Sequence, residues 1–372
     1  MRPGHCASSF LMRTTGWLSF ERAWHCGAAT LLVAVALASA APVSHADENG
    51  ISFWVPGFFG SLAATPQSPG WSLAVINYYT NVSASGNAAL SREISIGQFN
   101  PTLNASINAN VSAKADIGFF APSYVFATPF LGGQASTTLL MAYGQNSTGL
   151  NGTLSGTIAG IPFTRTVDLN QTTTGIGDLI PQFAVRWNAG VNNYMAYLTG
   201  DIPVGDYSSS NLANIGIGHG AIDGGVGYTY FDPKTGHEFS AVAGLTGNFE
   251  NYATNYTNGV DFHLDWGASQ FLTKQLQVGL VGYVYDQLTA DSGCAPILCP
   301  MESRVLGVGP QIGYVFPVGG MQGYLNLKGY REFDNNDRPD GYNVWLTFVL
   351  SPAPPSAASA PPSMVTKAPP YS

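Results

Sequence analysis

Sixteen consecutive residues that alternate between apolar and polar leave a chain few ways to fold. Across residues 103–118, Leu103, Ala105, Ile107, Ala109, Val111, Ala113, Ala115 and Ile117 hold one parity, and Asn104, Ser106, Asn108, Asn110, Ser112, Lys114 and Asp116 hold the other. A β-strand sends successive side chains to opposite faces, so this run reads as one strand with an apolar side and a polar side. It is far longer than the roughly five or six residues of an ordinary strand.

The period recurs, with breaks, towards the C-terminus. Phe239, Ala241, Ala243 and Leu245 oppose Glu238, Ser240, Thr246 and Asn248, while Val260, Phe262, Leu264 and Trp266 oppose Asp261, His263, Asp265 and Ser269. Leu276, Val278, Leu280 and Val284 oppose Gln277, Tyr283, Tyr285 and Gln287. Met321, Leu325 and Leu327 oppose Gln322, Tyr324, Asn326, Lys328 and Tyr330. Twelve strands are predicted: 71–81, 103–118, 133–146, 175–189, 192–203, 220–231, 237–250, 260–272, 276–288, 304–316, 321–333 and 341–350.

The connections separate a membrane barrel from a soluble sandwich. Residues 190–191, 232–236, 273–275 and 317–320 are tight and mostly rich in Gly, Pro or Asp, as short hairpins demand. The alternate set, 82–102, 147–174, 204–219, 251–259, 289–303 and 334–340, is longer, and only 119–132 breaks the short set. Short turns at one end and long loops at the other are the pattern of outer-membrane barrels, and a two-sheet sandwich has no reason for it. The expected fold is all-β, a transmembrane antiparallel β-barrel of about twelve strands over residues 71–350. Its apolar face would meet lipid and its polar face line a lumen. The first strand must pair with the last, because an open edge in lipid leaves backbone groups unpaired. Residues 150–170 offer a further hairpin, so fourteen strands is the alternative. An even count puts both termini in the periplasm.

Composition agrees. Charged residues make up only 10% of the chain, against about a quarter in soluble domains, while 45% is hydrophobic. A net charge of −8 without a Lys/Arg cluster excludes a basic nucleic-acid binder. The apolar run Ala28–Ala41 is preceded by Arg13 and Arg22 and followed by Ser44 and Ala46, so residues 1–46 read as a Sec-type export signal. Cleavage after Ala40 and a start at Met12 are the alternatives. Removal of 1–46 leaves 11 basic and 21 acidic residues, a charge of −10. It also leaves Cys294 and Cys299, for which an oxidising compartment favours a small loop disulfide.

Several segments follow one another in a fixed order: Gly175-Ile176-Gly177-Asp178 with Pro181, Pro203-Val204-Gly205-Asp206-Tyr207, and Asn248-Phe249-Glu250-Asn251 with Thr254 and Tyr256. They continue through Gln287–Gly293, Ser303–Tyr314, Tyr324–Phe333, Arg338-Pro339 and Trp345–Phe348. This order resembles the SphA-like transporter family, also called the MetA-pathway-of-phenol-degradation family, over roughly residues 51–350. The resemblance implies a Gram-negative outer-membrane barrel, with some members associated with degradation of phenol and related aromatics, and does not imply an enzyme. The loop cysteines and the continuation past the last strand depart from that family's pattern.

Chemistry-bearing constellations are sparse. The mature chain has only His219, His237 and His263 and no Gly-x-Ser-x-Gly elbow, so no catalytic residue, cofactor or metal is expected. His263, between Asp261 and Asp265 on the polar face, reads as a solvated lumen residue. Lys114, Arg186, Asp201, Glu250, Asp265, Lys328 and Glu332 are expected to project inward and to form inter-strand ion pairs across a hydrated lumen. Tyr283, Tyr285, Tyr324, Tyr330 and Gln287 would line the solute's path among them.

The segment 47–70, with Ile51-Ser52-Phe53-Trp54-Val55-Pro56-Gly57-Phe58-Phe59-Gly60, is too apolar to lie free in the periplasm. It either folds into the lumen, with Trp54, Phe58 and Phe59 as an apolar constriction, or packs at the periplasmic rim. The tail 351–372 holds seven prolines and reads as extended or disordered. The expected function is passive passage of small apolar or aromatic molecules across the outer membrane. A general small-solute porin and a structural or adhesion barrel are the alternatives. The partners expected are outer-membrane lipid and lipopolysaccharide, the barrel-insertion machinery and the solute.

Overall fold

The computed structural model describes residues 52–85, 105–158, 161–293, 303–336 and 338–354. The export signal, Cys294, Cys299 and tail residues 355–372 lie outside the described residues.

Alternation and turn chemistry give twelve antiparallel strands in chain order. They are β1 (Gly70–Ser85), β2 (Ala105–Val125), β3 (Gln134–Ile158), β4 (Ile161–Ala189), β5 (Asn192–Asp201) and β6 (Ala221–Asp232), then β7 (His237–Asn248), β8 (Asp261–Phe271), β9 (Leu276–Gln287), β10 (Arg304–Val318), β11 (Met321–Asn336) and β12 (Asp340–Pro352). Each strand pairs with its neighbours in sequence, and β1 closes on β12 in a register running from Leu73↔Leu350 to Ser83↔Asp340. The two-residue turn between β10 and β11 uses Gly319 and Gly320 at φ +53° and +86°, a region in which a side chain is strained.

Outside and inside are chemically inverted relative to a soluble domain. Trp71, Val75, Phe120, Leu198, Val226, Leu280, Ile312 and Leu346 are exposed on the outer surface, whereas Glu238, Ser240, Thr246, Asp265, Gln277 and Asn343 are buried within. A closed cylinder with an apolar belt and a polar interior is the arrangement lipid requires.

Three strands depart from the sequence reading. β2 continues to Val125, so the connection expected at 119–132 shrinks to 126–133 and every connection at that end is short. β3 and β4 run for 25 and 29 residues. Residues 147–174 are therefore not an open loop, and 150–170 do not form a separate hairpin; they are the far end of the β3–β4 pair, and the count is twelve rather than fourteen.

About 9–11 residues cross the hydrocarbon, so β2, β3 and β4 stand well beyond it. There the outer face meets water. Gln145 Nε2 donates to Thr174 Oγ1 (3.0 Å), and the Ser147 and Thr172 hydroxyls lie 2.9 Å apart on that face. The inner face is covered by the β5–β6 connection, whose Leu212 packs on Val111, Leu150 and Leu169. Gln171 Oε1 accepts the Leu212 N–H (2.6 Å), and Asn146 Nδ2 donates to the Asn214 carbonyl (2.9 Å).

This coverage reverses the expected orientation of β2. Val111, Ala113, Ala115 and Ile117 face the lumen, while Ser112, Lys114 and Asp116 are exposed outside. Lys114 is thus a correction: it does not project inward, because beyond the lipid the polar side of the strand belongs in water.

Candidate functional site

The segment Ser52–Pro69 touches inward-facing residues of β3, β4, β6, β7, β8, β10, β11 and β12, which places it inside the barrel. It runs from Ser52, whose Oγ lies 3.4 Å from Arg338 at the long-loop end, to Gln67, which exchanges hydrogen bonds with Gln134 at the short-turn end. Both barrel ends, Gly70 and Pro352, sit at the short-turn end, but the chain before Gly70 climbs the lumen instead of leaving there.

Its conformation follows from Pro56-Gly57. Phe58 N–H donates to the Val55 carbonyl (3.1 Å) across a turn with Gly57 at φ +86°, the geometry that a Pro-Gly pair favours. A Cβ on Gly57 would lie 3.0 Å from the Tyr330 ring. Asp265 accepts the N–H groups of Gly57 (2.8 Å) and Phe59 (3.0 Å), and Lys328 Nζ donates to the carbonyls of Gly57, Phe58 and Phe59. Further down, Glu238 and Ser240 accept the Leu62 N–H, Thr229 accepts that of Ala64, and Arg186 Nε donates to the Ala63 carbonyl (3.2 Å). A lumen segment has no sheet partner, so its buried backbone groups take these side chains instead.

The predicted interior residues divide accordingly. Arg186, Asp265 and Lys328 are buried and inward, yet they bind this backbone instead of forming the expected inter-strand ion pairs. Arg186 Nη1 also donates to Ser136 Oγ (2.9 Å). His263 is fully buried and not solvated. Its Nε2 lies 2.9 Å from Asp223 Oδ2 and 3.2 Å from the Tyr197 hydroxyl, and its ring stacks on Trp54 at 3.6 Å and 11°. Asp223, on β6, and Tyr197, on β5, were not among the predicted residues. Phe58 and Phe59 pack against Trp54, with Phe58 also on Trp345.

Tyr283 and Tyr285 on β9, beside His263 on β8, and Tyr330 on β11 are also buried: Tyr283 donates to Glu332 Oε1 (2.7 Å), and Arg338 lies 4.2 Å over the Tyr285 ring. Tyr324 donates to Gln277 Oε1 (2.9 Å), and Gln287 donates to Asp291. None of these four tyrosines lines the cavity described next. Glu250 is a further correction. β7 ends at Asn248, Phe249 N–H turns to the Gly220 carbonyl, and Glu250 is left exposed at the start of a loop.

Between the segment and the β1–β4 wall lies a cavity of about 210 Å³. Phe53, Trp54, Val55 and Pro56 form one side. Tyr78 and Val82 of β1, Val111–Phe119 at alternate positions of β2, Ala142 of β3 and Ile180 of β4 form the other. Asp178, Asp201, Glu332 and Arg338 are its charged members, and Ser52, Thr80, Asn146 and Asn214 add neutral polar groups. A polar vestibule of about 710 Å³ at the long-loop end, lined by Ser83, Asn110, Asn335 and Asp340, shares Val111 and Arg338 with it. The signal that could have revealed this wall is the length of β2, which places part of its alternation beyond lipid.

The ordered motifs meet in the loops. Asp178 Oδ1 accepts the Gly205 N–H (2.7 Å) and Oδ2 that of Ile217 (2.8 Å), while Asp206 Oδ2 accepts that of Ile176 (2.8 Å). The two Gly-Asp pairs thus clasp each other where the β3–β4 register shifts between Met141 and Tyr143. Asn251 Nδ2 donates to the Tyr207 hydroxyl (2.8 Å), and Asp291 accepts from Tyr256 and from the Gly259 N–H.

A closed twelve-strand barrel with an apolar belt and an occupied lumen defines the class: a transmembrane antiparallel β-barrel. The chain belongs to the family described as "Putative MetA-pathway of phenol degradation", which matches residues 96–348. Among solved structures it is similar in fold to the COG4313 outer membrane channel from Pseudomonas putida F1, with a TM-score of 0.51 and 12% identity, over 80% of this chain and 99% of that one. It is also similar to a Pseudomonas aeruginosa FadL homologue, with a TM-score of 0.38 and 10% identity, over 83% of this chain and 98% of that one. No curated protein matches the chain.

Proposed function

We propose that this protein, exported by the Sec route and seated in the outer membrane of a Gram-negative bacterium, is a passive channel for small apolar or aromatic solutes and not an enzyme. The observation that carries the reading is the cavity between the aromatic segment and the β1–β4 wall. An apolar cavity of about 150 Å³ is enough to bind benzene, and this one is larger, with an inner surface of Val, Ala, Ile, Phe, Tyr and Trp. Ser52–Pro69 acts as a plug: it closes the wide route down the barrel axis and leaves the apolar route beside it. Family membership and the channel-like fold support the same reading.

Uptake of a dilute aromatic solute and of a small sugar by intact cells, with and without the gene, tests it. Selective loss of aromatic uptake is the expected result. Equal loss of both would make the protein a general porin, and no loss of either would remove the transport function.

A further inference from the structure

The short connection 126–133 curls back over the outer wall of the barrel. Phe130 and Gly133 exchange backbone hydrogen bonds (2.8 and 2.9 Å), and the Phe130 ring packs edge-on against Phe183 at 5.8 Å. At its tip Leu131 and Gly132 take φ +49° and +74°, and Leu131 is 76% exposed. A leucine held in the left-handed region and turned outward is strained, and water gives it no return. The Leu131 carbonyl accepts the Trp187 Nε1–H (3.0 Å). Gly133 lies so close to Trp187 and Val185 that a Cβ would meet either at 2.7 Å. The curl thereby fixes the Trp187 indole on the lipid-facing side.

Trp187 forms one side of a groove of about 450 Å³ in that outer wall, with Tyr194 and Tyr228 beside it and Leu264 opposite. The floor is a cross-strand row of small side chains: Ala196 pairs with Val226 and Val226 with Ala243, and Ala241 lies next to them. Leu198 and Leu245, the following outward positions on β5 and β7, are large and exposed, so the depression is local. Its aromatic end adjoins the short turn 190–191. There the Tyr228 hydroxyl donates to Asn192 Oδ1 (2.8 Å), while that of the exposed Tyr194 has no hydrogen bond among the described residues.

We infer that this groove seats one acyl chain of a phospholipid from the leaflet at the short-turn end, the periplasmic leaflet for a barrel of this kind. The groove is continuous with the apolar belt, so lipid is what it meets. Tryptophan and tyrosine collect at the headgroup level, which places the chain's polar end beside Trp187 and Tyr194 and its tail over the alanines. A second barrel presents a convex wall that would rest on the aromatic rims and leave the floor uncovered. Among apolar neighbours in lipid, selection rests on packing, and a concave floor of alanine and valine packs a narrow chain. The site lies outside the lumen, so it stands whether or not the lumen passes a solute.

The full-length protein, stripped of lipid in detergent, is titrated with dioleoylphosphatidylethanolamine, and bound lipids are counted by native mass spectrometry. The first lipid is expected to bind roughly tenfold more tightly than the next. Ala241→Trp and Ala243→Leu fill the floor and bring the first step down to the second, whereas Ile312→Trp, on the belt at β10, leaves it unchanged. If Ala241→Trp fails to fold, Ala243→Leu carries the comparison. Successive lipids of one affinity, or equal losses in Ala243→Leu and Ile312→Trp, overturn the inference. A wild-type dimer that Ala243→Leu dissociates would assign the groove to a second copy and overturn it as well.

Discussion

Asp265 and Lys328 hold the same three residues from opposite sides: the carboxylate accepts the N–H groups of Gly57 and Phe59, and the ammonium donates to the carbonyls of Gly57, Phe58 and Phe59. The two side chains come from β8 and β11, so the turn between them ties distant parts of the wall to the lumen segment. Charges that alternation alone would assign to a water-filled pore are used as hydrogen-bond partners for a backbone without a sheet.

Asp265→Ala leaves two buried N–H groups without an acceptor, at about 1–3 kcal/mol each. The segment should loosen. Single-channel recordings should show openings that the wild type lacks, and protease should cleave near Phe58 faster. Unchanged recordings and unchanged cleavage would mean that the clamp does not hold the segment.

Gly57→Ala should have the same direction of effect by a different route. A non-glycine residue at φ +86° costs roughly 1–2 kcal/mol, and its Cβ would press on the Tyr330 ring. Gly57→Asn should be milder than Gly57→Ala, because Asn tolerates the left-handed region better. Equal effects of the two variants would assign the cost to the Tyr330 contact rather than to the backbone.

The orientation of β2 can be read chemically. In a chain with Cys294→Ser and Cys299→Ser, Lys114→Cys should react quickly in intact cells with a membrane-impermeant thiol reagent. Ala115→Cys, facing the cavity, should react at least tenfold more slowly. The reverse order would restore the orientation that alternation first suggests.

Strand positions were legible because alternation and turn residues agree at almost every hairpin from β4 to β12. Inward parity was legible where one side carried Asp, Glu or Lys within the lipid span, as with Glu238, Asp265 and Lys328. It was not legible for β2, since alternation is symmetric and does not say which side faces water once a strand leaves the membrane. Glu250 continued the parity of β7 past the point where Phe249 turns to Gly220, a contact between residues distant in sequence. The cavity wall was hidden for a related reason: Tyr78 and Tyr79 are neighbours of equal chemistry, and pairing with distant residues, Tyr78↔Trp345 and Tyr78↔Ile117, tells inside from outside.

His263→Ala should cost stability without abolishing flux. Asp223 loses the imidazole while keeping its bond from Thr246 (2.7 Å) and its neighbour Tyr197, and Trp54 loses its stacking partner, a combined loss of about 1–3 kcal/mol. Heat-induced mobility shift on gels should report the lower unfolding temperature, with aromatic flux retained in proteoliposomes. Complete loss of function in a folded variant would instead point to a chemical role for the histidine.

The central claim is that Ser52–Pro69 closes the barrel axis and confines passage to the apolar cavity. Ion conductance of the full chain and of a form lacking residues 52–69, each reconstituted in planar bilayers, tests it most directly. The account predicts little conductance for the full chain and a steady, ohmic pore after deletion. Equal conductance of the two would contradict it.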